Sequence, residues 1–156
     1  MSAVANLSES IAERQGSRAV KRLSNVLKQI EVGTLRIASP SRGSFLLLLA
    51  EFEKSQCCFC GLGALRKTAE TVADEPVKEF LGFIATDGAI DPYLSDQLVL
   101  PLAMAQGSSE IRTSKITQHL TTNIDIVKRF LPVRVEIEGA IDQPGSVRIQ
   151  RSESTH

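Results

Sequence analysis

The chain reads as an α+β protein, and three patterns say so. Val133, Val135 and Ile137 alternate with Arg134, Glu136 and Glu138, the period of a strand with one buried face. Ala69, Val72, Ala73, Val77, Phe80, Leu81 and Ile84 recur at helical spacing, the period of an amphipathic helix. Runs of both kinds are interleaved, which predicts mixed sheets with helices packed on them.

Taken in order, residues 8–30 predict a helix with Val20, Leu23, Leu27 and Ile30 on one stripe. Ser8 or Ser10 caps its start and Gly16 divides it. Arg14, Arg18, Lys21, Arg22 and Lys28 decorate it, as a solvated face or as a nucleic-acid surface. Ser39-Pro40-Ser41-Arg42-Gly43 is a turn between strands expected at 34–38 and 44–52, and a third strand covers 56–62. A helix follows from Lys67 to Ala85, with Pro76 expected to kink or restart it for want of an N–H.

Thr86-Asp87-Gly88 marks the expected domain boundary. Beyond it, residues 93–105 predict a buried helix with a proline near its middle, Ile111 to Gln118 a strand, and Thr122 to Phe130 a helix. Leu120, Ile124, Val127 and Leu131 form that helix's inward stripe. The Val133 strand, a turn at Asp142-Gln143-Pro144-Gly145 and a strand from Ser146 to Gln150 complete the order, and residues 151–156 read as a polar, disordered tail.

Composition narrows the function classes. With 156 residues, 42% hydrophobic and 23% charged, the chain is long and apolar enough to bury a core in one domain or two small ones. Six Phe, one Tyr and no Trp make that core aliphatic. A net charge of +0 removes any whole-protein basic signature, though a local basic groove stays open. The longest apolar run, Phe45 to Ala50, falls far short of the roughly 20 residues that span a bilayer, and no signal peptide is indicated. Cys57, Cys58 and Cys60 are too crowded for a disulfide framework or a common zinc spacing. Buried strand thiols are expected over a metal or redox site, in a reducing and hence cytoplasmic compartment.

The densest chemistry lies between Asp91 and Pro132. His119, the only histidine away from the C-terminus, precedes Thr121, Thr122 and Asn123, all good N-cap residues, just before the expected helix. A helix start offers unpaired N–H groups and partial positive charge, which hold a phosphate and disfavour a cation. A neutral imidazole there suits a phosphoramidate-forming nucleophile. The same histidine also reads as a side chain satisfying local hydrogen bonds at a strand end. Asp96 caps a helix or orients a ribose, a base or a metal-bound phosphate; Tyr93 stacks or packs.

Tyr93-Leu94-Ser95-Asp96-Gln97-Leu98-Val99-Leu100-Pro101-Leu102-Ala103, His119-Leu120-Thr121-Thr122-Asn123-Ile124 and Arg129-Phe130-Leu131-Pro132-Val133 together resemble the RNA 3'-terminal phosphate cyclase family in wording, order and spacing. The stretch from Gly63 to Val72, with Lys67, Ala69 and Glu70, resembles the long helix that precedes the family's site, and Ile11-Ala12-Glu13-Arg14 fits more loosely. The resemblance implies an inserted α/β domain at residues 1–88, followed at 89–150 by the C-terminal segment of a larger layered helix-on-sheet catalytic domain. It implies an ATP-dependent enzyme of ligase type that converts an RNA 3'-phosphate to a 2',3'-cyclic phosphodiester through an AMP–histidine intermediate. His119 would be the nucleophile, and Tyr93, Leu94, Ser95, Asp96 and Gln97 would line the nucleotide site. Magnesium is implied beside ATP, with no metal ligand assigned in this chain.

The chain also departs from the family pattern. It has no counterpart of the large N-terminal catalytic portion with its glycine-rich nucleotide motif. Ala64 and Arg66 stand where members tend to carry Glu and Gly, and Pro76 interrupts the helix. A fragment or truncated form needing a complementing N-terminal portion is therefore expected, with weak or no activity alone. The rival expectation is a non-catalytic, cyclase-like interaction or scaffold protein in RNA processing or ribosome biogenesis. The similarly folded enolpyruvyl transferases have no need of the His-Leu-Thr-Thr-Asn segment.

Overall fold

The computed structural model describes residues 1–53 and 55–152, so of the expected tail residues 153–156 lie outside the described part. Two compact units divide the chain at residues 1–82 and 83–156.

The first unit is a four-stranded sheet with two helices. Its elements are β1 (Ser2–Ala5), α1 (Glu9–Leu23), β2 (Thr34–Arg36), β3 (Gly43–Glu51), β4 (Gln56–Leu62) and α2 (Ala69–Ile84). The sheet order is β2-β1-β3-β4, parallel between β1 and β2 and antiparallel elsewhere. Strand β1 has no counterpart among the sequence expectations, because Ser-Ala-Val-Ala carries almost no strand pattern of its own. Its strand character comes from lying between β2 and β3, where Ser2, Ala3 and Val4 are buried.

Helix α1 corrects two further expectations. It runs unbroken through Gly16 and ends at Leu23, where the Ser24 amide donates to the Val20 carbonyl. Its inward stripe is Ala12, Gln15, Gly16, Ala19 and Leu23, of which Ala12, Gly16 and Ala19 are small enough to let the helix approach closely. A Cβ on Gly16 would come within 3.0 Å of the Val32 side chain, so glycine is there for contact and not as a breaker. Buried Gln15 is satisfied: its oxygen accepts from Ser2 Oγ at 2.5 Å, and Nε2 donates to Ser44 Oγ at 3.0 Å.

Pro76 likewise leaves α2 continuous. Proline removes the donor that the Val72 carbonyl would receive one turn on. That carbonyl faces Gly61 of β4, where an added Cβ would collide with it and with Pro76 Cδ. The Phe59 ring of β4 meets Phe80 of α2 edge-on, with centroids 6.4 Å apart, locking helix to sheet.

Of the three thiols only Cys57 points inward; Cys58 and Cys60 lie on the exposed face. The alternation of β4 dictates this, since one strand cannot bury residues of both parities on one core. On that outer face Phe45, Leu47 and Leu49 oppose Leu62, Cys60 and Cys58. Burial pushes the Cys60 thiol up, away from the thiolate that redox or metal chemistry needs.

The second unit contains α3 (Pro92–Met104), β5 (Ser108–Thr113), α4 (Gln118–Phe130), β6 (Val133–Glu138) and β7 (Gly145–Arg151). Its antiparallel sheet has the order β5-β7-β6, and Ile90 adds a parallel bridge to Thr113. Val99, Ala103, Ile111, Ile116, Leu120, Ile124, Val147 and Ile149 form one aliphatic core between helices and sheet. Strand β7 runs through Arg151, and the Ser152 amide donates to the Pro132 carbonyl at 2.8 Å.

Two boundaries differ from expectation here. Strand β5 ends at Thr113, and α4 begins at Gln118 with Thr117 as its cap, so the expected strand end at Gln118 and helix start at Thr122 both move. Thr117, Thr121, Thr122 and Asn123 all qualify as caps. Burial of Ile116 and Leu120 selects Thr117, because it needs Leu120 already on the helix. Among the described residues no helix is long and apolar enough to cross a membrane.

Candidate active site

Helices α3 and α4 lie side by side in the second unit. Asn123 Nδ2 donates to Asp96 Oδ1 near their starts, and a cleft of about 460 Å³ continues between Leu100 and Met104 on one and Ile126 and Phe130 on the other. The helices are therefore parallel, as the intervening strand β5 requires. Their first turns sit at the same end.

Each sequence-predicted residue has a definite place in this arrangement. Tyr93, Asp96, Gln97, Leu100 and Met104 follow helical spacing along one stripe of α3, and all but Tyr93 line the cleft. Tyr93 is 61% exposed in the first turn. Ser95 points the other way: it is fully buried, and its hydroxyl donates to the Pro92 carbonyl at 2.9 Å, so it supports α3 and does not face the cleft. Leu94 is half-buried. His119 is exposed in the first turn of α4, inside the helix and not ahead of it as expected.

The two helix starts differ electrically. Asp91 caps α3 with a carboxylate that accepts from the Tyr93 and Leu94 amides, both at 2.9 Å. That charge cancels the positive end of α3. Thr117 caps α4 with a neutral hydroxyl accepting from the Leu120 amide at 3.0 Å, and the Gln118 and His119 amides precede the first intrahelical bond. Of the two ends, α4 retains the field and donors that attract an anion, and it carries the histidine.

Sequence reasoning missed Asn123 as a partner of Asp96. The signal was the i, i+4 spacing of His119 and Asn123, which puts both on one helix face; it could be read only once the helix start was known. Lys115, paired with Asp142 at 3.1 Å, flanks the turn into α4. Among the described residues no three His, Cys, Asp or Glu side chains stand close enough together to hold a metal ion.

These features define an α+β chain with a polar, histidine-bearing helix pair, and its sequence relatives are consistent with that class. Residues 9–137 match the family model described as RNA 3'-terminal phosphate cyclase. The chain is similar to the RNA 3'-terminal phosphate cyclase of Thermococcus kodakarensis, 37% identical over 148 residues, covering 94% of this chain and 43% of the relative. The same protein of Nostoc punctiforme is 33% identical over 140 residues, covering 90% and 40%. That of Pseudomonas fluorescens is 36% identical over 139 residues, covering 89% and 40%. The chain belongs to the RNA 3'-terminal phosphate cyclase family. It spans about two-fifths of the length of these relatives.

Proposed function

We propose that this chain carries the nucleotidyl-accepting part of an ATP-dependent RNA 3'-phosphate cyclase. The observation that supports this best is the parallel pairing of α3 with α4 through Asp96 and Asn123, one turn beyond Tyr93 and His119, which leaves the two first turns at the same end.

In this reading a ring nitrogen of His119 attacks the α-phosphorus of ATP. The new N–P bond forms as the bond to pyrophosphate breaks, and the α4 amides steady the phosphate oxygens. An oxygen of an RNA 3'-phosphate then displaces the histidine, which leaves as neutral imidazole with the proton of its other ring nitrogen still in place. The neighbouring 2'-hydroxyl attacks the activated 3'-phosphorus, loses its proton and expels AMP, closing the 2',3'-cyclic phosphodiester. Tyr93, Asp96 and Gln97 hold the nucleoside end, and Ser95 and Leu94 pack the helix that presents them. Magnesium enters this reading as an offset to the charge of the triphosphate.

A complementing portion is part of the proposal, because the relatives are more than twice as long as the span they share with this chain. The same difference in length favours the second reading, a non-catalytic cyclase-like interaction protein. Incubation with α-labelled ATP and magnesium, with and without a separately expressed N-terminal cyclase portion, separates them. We expect an acid-labile adduct on the wild type that vanishes in His119→Ala. A label retained by the alanine variant would remove His119 as nucleophile, and no label in any mixture would favour the interaction protein.

A further inference from the structure

The Asp96–Asn123 bond has a role that the nucleophile and the nucleotide contacts do not cover. Among the described residues it is the one side-chain hydrogen bond joining α3 to α4. Lower down, the cleft is lined by apolar side chains, Val99, Leu100 and Met104 on α3 and Ile126, Val127 and Phe130 on α4. Apolar contact is non-directional and tolerates one helix sliding past another. A partly buried polar pair does not, because a shift of register leaves both groups desolvated and unmatched.

The position of the pair gives that register a consequence. Asp96 lies one turn beyond Tyr93 on α3, and Asn123 lies one turn beyond His119 on α4. Holding the second turns together sets how far apart the first turns stand. The amide donates to one carboxylate oxygen of Asp96.

Resting on the adenylylation reading above, we propose that Asn123 is a positioning residue: its amide clasps Asp96 and fixes the register of α3 against α4, so that Tyr93 and His119 meet one nucleotide as a unit. Asn123 touches neither the reacting nitrogen nor the phosphorus. It acts through the helices.

The test is an ATP titration of the isotope-labelled full chain, following the side-chain NMR signals of Tyr93 and His119. In the wild type both signals shift fully at saturating ATP. In Asn123→Ala the Tyr93 signal still shifts, and the His119 shift at saturation falls on the order of tenfold, the scale of a small misplacement. The exchanged pair Asp96→Asn with Asn123→Asp restores a bond of reversed polarity and brings back the His119 shift, even where saturation needs more ATP. Methyl signals of Leu120, Ile124, Val147 and Ile149 stay in place throughout, which excludes loss of the core. The proposal is overturned if Asn123→Ala keeps the wild-type His119 shift at saturation, or if the exchanged pair loses it as fully as the single variant. If ATP moves neither signal in the wild type, with or without the separately expressed N-terminal cyclase portion, the nucleotide reading itself fails and takes the clasp with it.

Discussion

At the residue scale, Leu120 and Ile124 hold the histidine where it is. Both are buried, 0% and 2% exposed, on the face of α4 opposite the solvent. Truncating Ile124 to alanine empties part of the aliphatic core and should cost about 2–5 kcal/mol in a denaturant unfolding curve. A loss below about 1 kcal/mol would show that the helix does not depend on that anchor. The inward stripe of α4 was legible in the sequence because Leu120, Ile124, Val127 and Leu131 repeat at helical spacing. Its start was not. Thr117, Thr121, Thr122 and Asn123 are all competent caps, and local chemistry cannot rank them. The same limit hid the Asp96–Asn123 pair, whose members stand 27 residues apart.

At the element scale, α1 and α2 are joined by a ladder of ion pairs. Arg14 meets Glu70 at 2.8 Å, Arg18 meets Asp74 at 2.8 Å, and Arg22 meets Asp74 at 3.3 Å. The hydrogen bond from Arg18, with the nearby Arg22 charge, holds the Asp74 carboxyl below its ordinary value. The folded state therefore binds this proton less readily than the unfolded chain. The resulting stability is present above the unfolded carboxylate range, about pH 4, and is lost as pH falls through the lower folded value. Asp74→Asn should lower the melting temperature at pH 7, and the gap to wild type should close below about pH 3. A gap that persists unchanged in acid would assign the effect to packing. The basic decoration of α1 was legible as a charged face, but its partners on α2 are 52 to 56 residues away and were not.

Glycine and proline at the contact of α2 with β4 belong to the same scale. Gly61 leaves room for the Val72 carbonyl that Pro76 deprives of its helical donor. Gly61→Ala forces strand and helix apart and should destabilise the first unit by about 1–3 kcal/mol, measured by chemical denaturation. A neutral result would mean that the helix shifts without cost. Read from sequence, Pro76 signals a break; read in place, it terminates nothing, because the close approach of β4 takes up the unpaired carbonyl's surroundings.

At the scale of the whole molecule, two exposed apolar surfaces and a neutral charge balance act together. Leu49 and Leu62 are 55% and 65% exposed on the sheet of the first unit, and Phe130 is 80% exposed beside the cleft of the second. With a pI near 6.7, little net charge opposes association at neutral pH. Solubility should be lowest near that pH, and replacing Leu62 with Lys should raise it while leaving unfolding within about 0.5 kcal/mol of wild type. A larger loss in the unfolding curve would mean that Leu62 is part of the core after all.

Family membership, the α+β class and the period of nearly every helix and strand follow from the amino-acid sequence alone, because motif wording and hydrophobic spacing are local properties of the chain. Tertiary structure decided which cap starts α4, that Gly16 and Pro76 interrupt nothing, that β1 is a strand, and that Ser95 turns inward. It also decided that Asp96 finds Asn123. Each of these depends on a neighbour brought close by packing, and no local spacing records which neighbour that is.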